Sequence, residues 1–267
     1  MSKLLQEFIN SRSAFSIIYS TPSSVLSKRA KRICVLDSSF NPPHLGHYSL
    51  VRESLIHNYN EPPSDGKIVL LLLSVNNADK LTPQPASFDH RIEMMFKLAD
   101  HINESLKVDV KVGLTNHAKF VDKSEAIYSY MKNYKQLSMP NIRLSFLVGY
   151  DTLIRILEPK YYLPDNLATA LAGFFETSDL FCLTRSDGSI SLEKQFDYLD
   201  SISKGNIQYI PKHWSSNIYL THNESLELSK ISSSSIRSNI LNDNKEWFYK
   251  VTPDIKNYIV NEHIYKY

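Results

Sequence analysis

The stretch "ICVLDSSFNPPHLGHYSLV", Ile33–Val51, opens as an apolar strand, breaks into a polar turn with two prolines, and ends on two histidines three apart. The strand is expected to end at Asp37, with Ser38, Ser39 and Phe40 in the turn and Asn41 as the helix N-cap. Pro42 and Pro43 suit a first helical turn, where a missing N–H costs nothing and φ is already set. The pattern Leu45, Tyr48, Val51, Leu55 carries the helix onward. A helix N-terminus then stands at the carboxyl end of a strand, with amide groups and a positive dipole end aimed into the crevice, which suits phosphate. His44 and His47 share one face of that turn, and their imidazole N–H groups suit phosphate oxygens. Gly46, between them, is expected to leave room for a ligand's close approach. A His-x-x-His pair also fits a surface or metal-binding role. Zinc is the weaker of these, with no cysteine or third histidine near in sequence.

Outward from this corner, strand-like and helix-like segments alternate. "KIVLLLLSV" is a continuous apolar run of buried-strand length. "SFDHRIEMMFKLADHI" reads as a helix capped by Ser87, followed by a strand in "VDVKVGLT" and a helix in "KSEAIYSYMKNY". Strands are expected in "IRLSFLVG", "DLFCLTR", "NIQYI" and "NIYLT", and helices in "SLEKQFDYLDSIS", "SSSSIRSNIL" and "TPDIKNYIVNEHI". This rhythm predicts an α/β, doubly wound parallel sheet with right-handed crossovers and ligands bound beyond the carboxyl ends of its strands. Residues 1–32 are expected to form a mostly helical extension and residues 33–267 a single domain. Lys28, Arg29, Lys31 and Arg32 read either as a nuclear-import signal or as a solvated lead-in to the first strand.

Composition narrows the partners. A net charge of +2 argues against nucleic acid or membrane as the main partner. No run reaches the ~18 apolar residues of a membrane-spanning helix. "MSKLLQEFINSRSAF" carries Glu7 and lacks a signal peptide's apolar block. The two cysteines, Cys34 and Cys182, lie in apolar runs and read as buried reduced thiols. A cytoplasmic setting, or also a nuclear one, is expected.

"SSFNPPHLGH" resembles the G-S-F-N-P-x-H/T-x-x-H signature of the nucleotidyltransferase superfamily. Far along the chain "ISSSSIRSNI" (Ile231–Ile240) resembles the I-S-S-T-x-I-R helix start of the same superfamily. "LVGYDTL" is similar to its Gly-x-Asp element. "LFCLTR", "SVNNADKLTPQPASFDHRIEMM" and "VTPDIKNYIVNEHIY" resemble the nicotinamide mononucleotide adenylyltransferase branch, and specifically a diverged fungal group of it. Ser38 stands where that family usually has glycine, and Ser234 where it usually has threonine. No tryptophan lies in the third-strand region, and Phe120 is the nearest aromatic.

The resemblance implies a Rossmann-like fold and AMP transfer from ATP, with Mg²⁺, to nicotinamide or nicotinate mononucleotide. His47, Lys80 and Arg237 are then the expected catalytic residues. Ser38, Ser39, Phe40, Asn41, His44, Gly149, Asp151, Ser232, Ser233, Ser234 and Ser235 join His47 and Arg237 around ATP. Lys80, Phe120 and Arg185 receive the mononucleotide. Each residue keeps a plainer alternative: a serine-capped helix with a solvated Arg237, a surface Lys80, an Asp151 that caps a helix, an Arg185 paired with Asp187. The alternative function is a regulatory protein that binds or hydrolyses ATP and has lost the acceptor.

Overall fold

The computed structural model describes residues 3–22, 30–59, 61, 66–75, 86–133, 142–185 and 190–266. The chain opens with helix α1 (Lys3–Ser11) and strand β1 (Phe15–Ser20), then β2 (Ala30–Asp37), α2 (Leu45–Ile56), β3 (Gly66–Ser74) and α3 (Phe88–Leu106). Next come β4 (Val110–Thr115), α4 (Phe120–Asn133), β5 (Arg143–Gly149), α5 (Tyr150–Ile156) and α6 (Leu167–Thr177). The chain goes on through β6 (Ser178–Leu183), α7 (Leu192–Ser203), β7 (Ile218–Thr221), α8 (Leu226–Ser229), α9 (Ser233–Leu241) and α10 (Pro253–Asn261).

The described strands form one seven-stranded sheet in the order β1-β4-β3-β2-β5-β6-β7. Every pair is parallel except β1 with β4. Burial on both faces explains the unbroken apolar runs. Cys34 and Leu36 of β2 point into one core with α2, α3, α9 and α10. Ile33 and Val35, their neighbours, point into the other with α4, α5, α6 and α7. The connections run outward in opposite directions from β2 and β5, so the crevice beyond the carboxyl ends of these two strands is the topological switch point.

The start of the chain differs from a single helical extension. α1 stops at Ser11, and "FSIIYS" joins the sheet beside β4. Phe15 and Ile17 pack on one face of the sheet while Ile18 and Tyr19 pack on the other, and the register shifts between Ile17 and Tyr19. Residues 3–20 thus share the domain's cores. "NIQYI" is no strand: Ile210 N–H closes a turn onto the Ile207 carbonyl, and Pro211 then leads into a 3-10 turn over Lys212–Asn217. The basic run does not present Arg32 to solvent. That side chain is 2% exposed and pairs with Glu61 and Asp179 at 2.5 Å each. Both cysteines are buried and unbonded to each other. No described helix is long and apolar enough to cross a membrane.

Candidate active site

The corner after β2 is the first component. Helix α2 begins at Leu45 with His44, not Asn41, as its N-cap. Asn41 is engaged elsewhere: its Oδ1 accepts from the Tyr265 hydroxyl at 2.7 Å and from the Ala86 N–H at 3.0 Å. Pro42 and Pro43 therefore precede the helix. The amide ends of α2 are partly used as well, since Leu45 N–H donates to the Lys250 carbonyl at 2.8 Å and His47 N–H to the His44 carbonyl at 2.9 Å. Gly46 makes room for the histidine beside it: a Cβ there would lie 2.9 Å from His44 Nδ1 and 3.3 Å from the Leu228 carbonyl. Phe40 holds φ +46° with its ring fully buried. A bulky residue in left-handed backbone is sparsely populated and marks functional turns.

The two imidazoles stack 3.8 Å apart. His47 Nδ1 accepts the His44 backbone N–H at 3.1 Å, and its Nε2 lies 2.9 Å from Ser38 Oγ. An amide N–H only donates, so Nδ1 carries no proton and Nε2 is the N–H. Burial pulls the pKa of His47 down to about 4. Burial, then the neighbouring His47, then Arg185 hold His44 well below its ordinary value. Both rings are neutral near pH 7. His44 Nδ1 is buried with no hydrogen-bond partner.

The late motif docks on this corner. Ser233 Oγ donates to the Pro42 carbonyl at 2.8 Å, and Arg237 Nη1 donates to the Asn41 carbonyl at 2.7 Å. Ser232 caps α9 by accepting the Ser235 N–H at 3.1 Å, while Ser235 Oγ donates back to the Ser232 carbonyl at 2.8 Å. Arg237 Nη2 lies 3.4 Å from Ser234 Oγ, and Arg237 Nε is buried with no partner. Arg237 is only 9% exposed, so it is not a solvated surface arginine.

Across the switch point, Gly149 ends β5 and Asp151 follows in the first turn of α5. Arg185, just past β6, pairs with Asp151 at 2.9 Å and lies along Gly149. The structure thus brings Ser38, Asn41, His44, His47, Ser233 and Arg237 into one cluster, flanked by Gly149, Asp151 and Arg185. Ser39 is exposed at its rim. Phe120 lies on the far face, edge-on to Phe146 at 5.5 Å, with Lys123 Nζ 5.3 Å from its ring centre. Lys80 and Asp187 fall outside the described residues.

Several supports were not legible as site residues. Lys123 is 1% exposed and bonds Asp37, at the end of β2, at 2.5 Å. Burial raises the Asp37 carboxyl, against the pull of Lys123. Arg91 Nε donates to the Ser39 carbonyl at 2.8 Å, steadying the turn from α3. The available signal was phase. Lys123 sits in register with Ile127 and Met131, and Arg91 with Met95 and Leu98, so each is a cation on an apolar helical stripe. Among the described residues no cluster of three His, Cys, Asp or Glu is disposed to hold a metal ion.

A doubly wound sheet with a His-x-x-His corner and a serine-arginine helix meeting at its switch point defines a nucleotidyltransferase. The sequence model of the Cytidylyltransferase-like family matches residues 35–239. A Schizosaccharomyces pombe protein named "Putative nicotinamide mononucleotide adenylyltransferase" is 36% identical over 223 residues, 84% of this chain and 81% of its own. The chain therefore belongs to the cytidylyltransferase-like nucleotidyltransferases, in their nicotinamide mononucleotide adenylyltransferase family. The same fold is seen in Plasmodium falciparum nicotinic acid mononucleotide adenylyltransferase. Its complex with APC matches at TM-score 0.54 and 18% identity, covering 88% of this chain and 97% of that one. Its complex with NaAD matches at TM-score 0.55 and 19% identity, with the same coverage.

Proposed function

We propose that the protein transfers AMP from ATP to nicotinamide or nicotinate mononucleotide, releasing pyrophosphate and forming NAD or its acid counterpart. The bond that forms joins the mononucleotide phosphate oxygen to the α-phosphorus of ATP. The bond that breaks is the one to the departing pyrophosphate. The observation that supports this reading is the docking of Ser233 and Arg237 onto the carbonyls of Pro42 and Asn41, by which the early corner and the late helix meet at one crevice. The family and the pyridine-nucleotide relatives support the acceptor class.

The protein's task in such a transfer is positioning and charge neutralisation. His47 Nε2–H is the donor for the α-phosphate region, with His44 behind it. The guanidinium of Arg237, already anchored through Nη1, turns its remaining N–H groups toward the leaving pyrophosphate. Mg²⁺ enters with ATP as part of the substrate and shares the charge of the triphosphate. Lys80 keeps its proposed role at the acceptor phosphate. The buried, reduced cysteines fit a cytoplasmic or nuclear setting.

The test is incubation of the full chain with Mg·ATP and each mononucleotide in turn, with products identified by mass. A dinucleotide and pyrophosphate in equal amounts are expected, and the faster acceptor names the physiological pyridine. ADP and phosphate without any dinucleotide would instead support the regulatory alternative.

A further inference from the structure

We infer that Ser38 is a latch on the catalytic donor: its hydroxyl accepts the His47 Nε2–H, and a phosphate oxygen of ATP competes with it for that proton. This rests on the reading of the site as an ATP site and deepens it. Three observations carry the inference. First, the backbone N–H of His44 fixes the tautomer of His47, so the 2.9 Å contact to Ser38 Oγ is a donation from Nε2–H to the hydroxyl oxygen. Second, His47 is held from other sides, by its stacking on His44 at 3.8 Å and by the Phe40 ring at 5.2 Å. Third, the Ser38 backbone is tied into the sheet edge by its N–H to the Leu72 carbonyl at 3.2 Å, while its side chain stays partly exposed. The histidine is rigid and the serine needs only a rotation about χ1 to let go.

The exchange runs toward the ligand because a phosphate oxygen is charged and a serine oxygen is not. It has a cost, since the Ser38–His47 hydrogen bond is given up when the phosphate takes the proton. Ser38 is therefore a positioning residue that keeps His47 aligned and satisfied between turnovers, at the expense of affinity. Removing its hydroxyl frees the donor in advance. A variant without it binds the triphosphate more tightly by the worth of one neutral hydrogen bond, about 2- to 10-fold.

Calorimetric titration with Mg·ATP of the full chain and of Ser38→Ala, Ser38→Gly and Ser38→Thr tests this. Ser38→Ala retains the backbone bond to Leu72, so its fold is the least at risk. The alanine and glycine variants are expected to bind about 2- to 10-fold more tightly, while Ser38→Thr, which keeps the hydroxyl, stays near the parent. Nitrogen-edited NMR of the ligand-free proteins supplies a second readout. The His47 Nε2 proton should be protected from exchange in the parent and in Ser38→Thr, and exposed in Ser38→Ala. Equal or weaker binding by the alanine and glycine variants, with the parent binding normally, would overturn the latch and make Ser38 a direct phosphate contact or a bystander. A parent that takes up no nucleotide would instead overturn the ATP-site reading on which the latch depends.

Discussion

His47 concentrates the chemistry of the corner in one ring. Its proton position follows from a backbone amide, its neutrality from burial, and its aim from the turn that Phe40 and His44 shape. The pH dependence has a definite sign. Burial lowers His47 in the folded chain from 6.5 to about 4 and lowers His44 as well. Between those values the unfolded chain binds more protons than the folded one, so stability rises with pH across the window. The contribution of His47 is largely present above about pH 6.5 and drains as pH falls toward 4, and that of His44 changes in the same direction. Thermal unfolding should show a midpoint that declines steadily through that range, and histidine NMR of the ligand-free protein should show no protonation of His47 at pH 6. Adding ATP brings negative charge to the ring and should move its titration upward. A His47 resonance titrating near 6.5 without nucleotide would contradict the neutral assignment.

At the level of the elements, opposite ends of the sheet are assigned opposite tasks. The carboxyl ends carry the candidate site, and the amino ends are tied by Asp179. This fully buried carboxylate accepts from Arg32 Nη1 at 2.5 Å, Arg143 Nη2 at 2.7 Å and Asn217 Nδ2 at 2.9 Å. It thereby joins the starts of β2, β5 and β6 and the residue before β7. Asp179→Ala leaves the buried Arg32 guanidinium with Glu61 as its remaining carboxylate, a change that costs up to about 3–5 kcal/mol. Chemical denaturation should register that loss, while turnover per folded molecule stays near that of the parent, since the crevice lies at the other end. A stable Asp179→Ala protein would show the network to be dispensable. The same comparison shows what a single sequence exposes. Most helices and strands were legible because their apolar residues keep period 3.6 or run unbroken. The ionic clamp was not, since Arg32 looked like one cation in a basic run and only burial reveals its partners. Lys123 and Arg91 left a faint trace as cations on apolar stripes, and neither stripe says which carboxylate or carbonyl waits opposite.

For the molecule as a whole, the decisive fact is an encounter between residues nearly two hundred positions apart. Periodicity gave the doubly wound sheet and so the place of the crevice, but pairing of the early corner with the late helix was visible only through the resemblance of two motifs. The strand at Phe15–Ser20 escaped because Phe15, Ile17, Ile18 and Tyr19 follow a short helix with no glycine or proline to announce a new element. The tail's part, Tyr265 holding Asn41 and Lys250 capping α2, had no local signature at all.

If the two motifs serve one triphosphate, their losses in rate are not independent. The direct measurement is a double-mutant cycle on dinucleotide formation with His47→Ala, Arg237→Ala and both together. Loss of a single well-placed donor costs roughly 10²–10³ in rate. The double variant is expected to fall well short of the product of the two single losses, because each removes support from one and the same bound triphosphate. Strictly multiplicative losses, or a His47→Ala protein that turns over like the parent, would contradict a shared site.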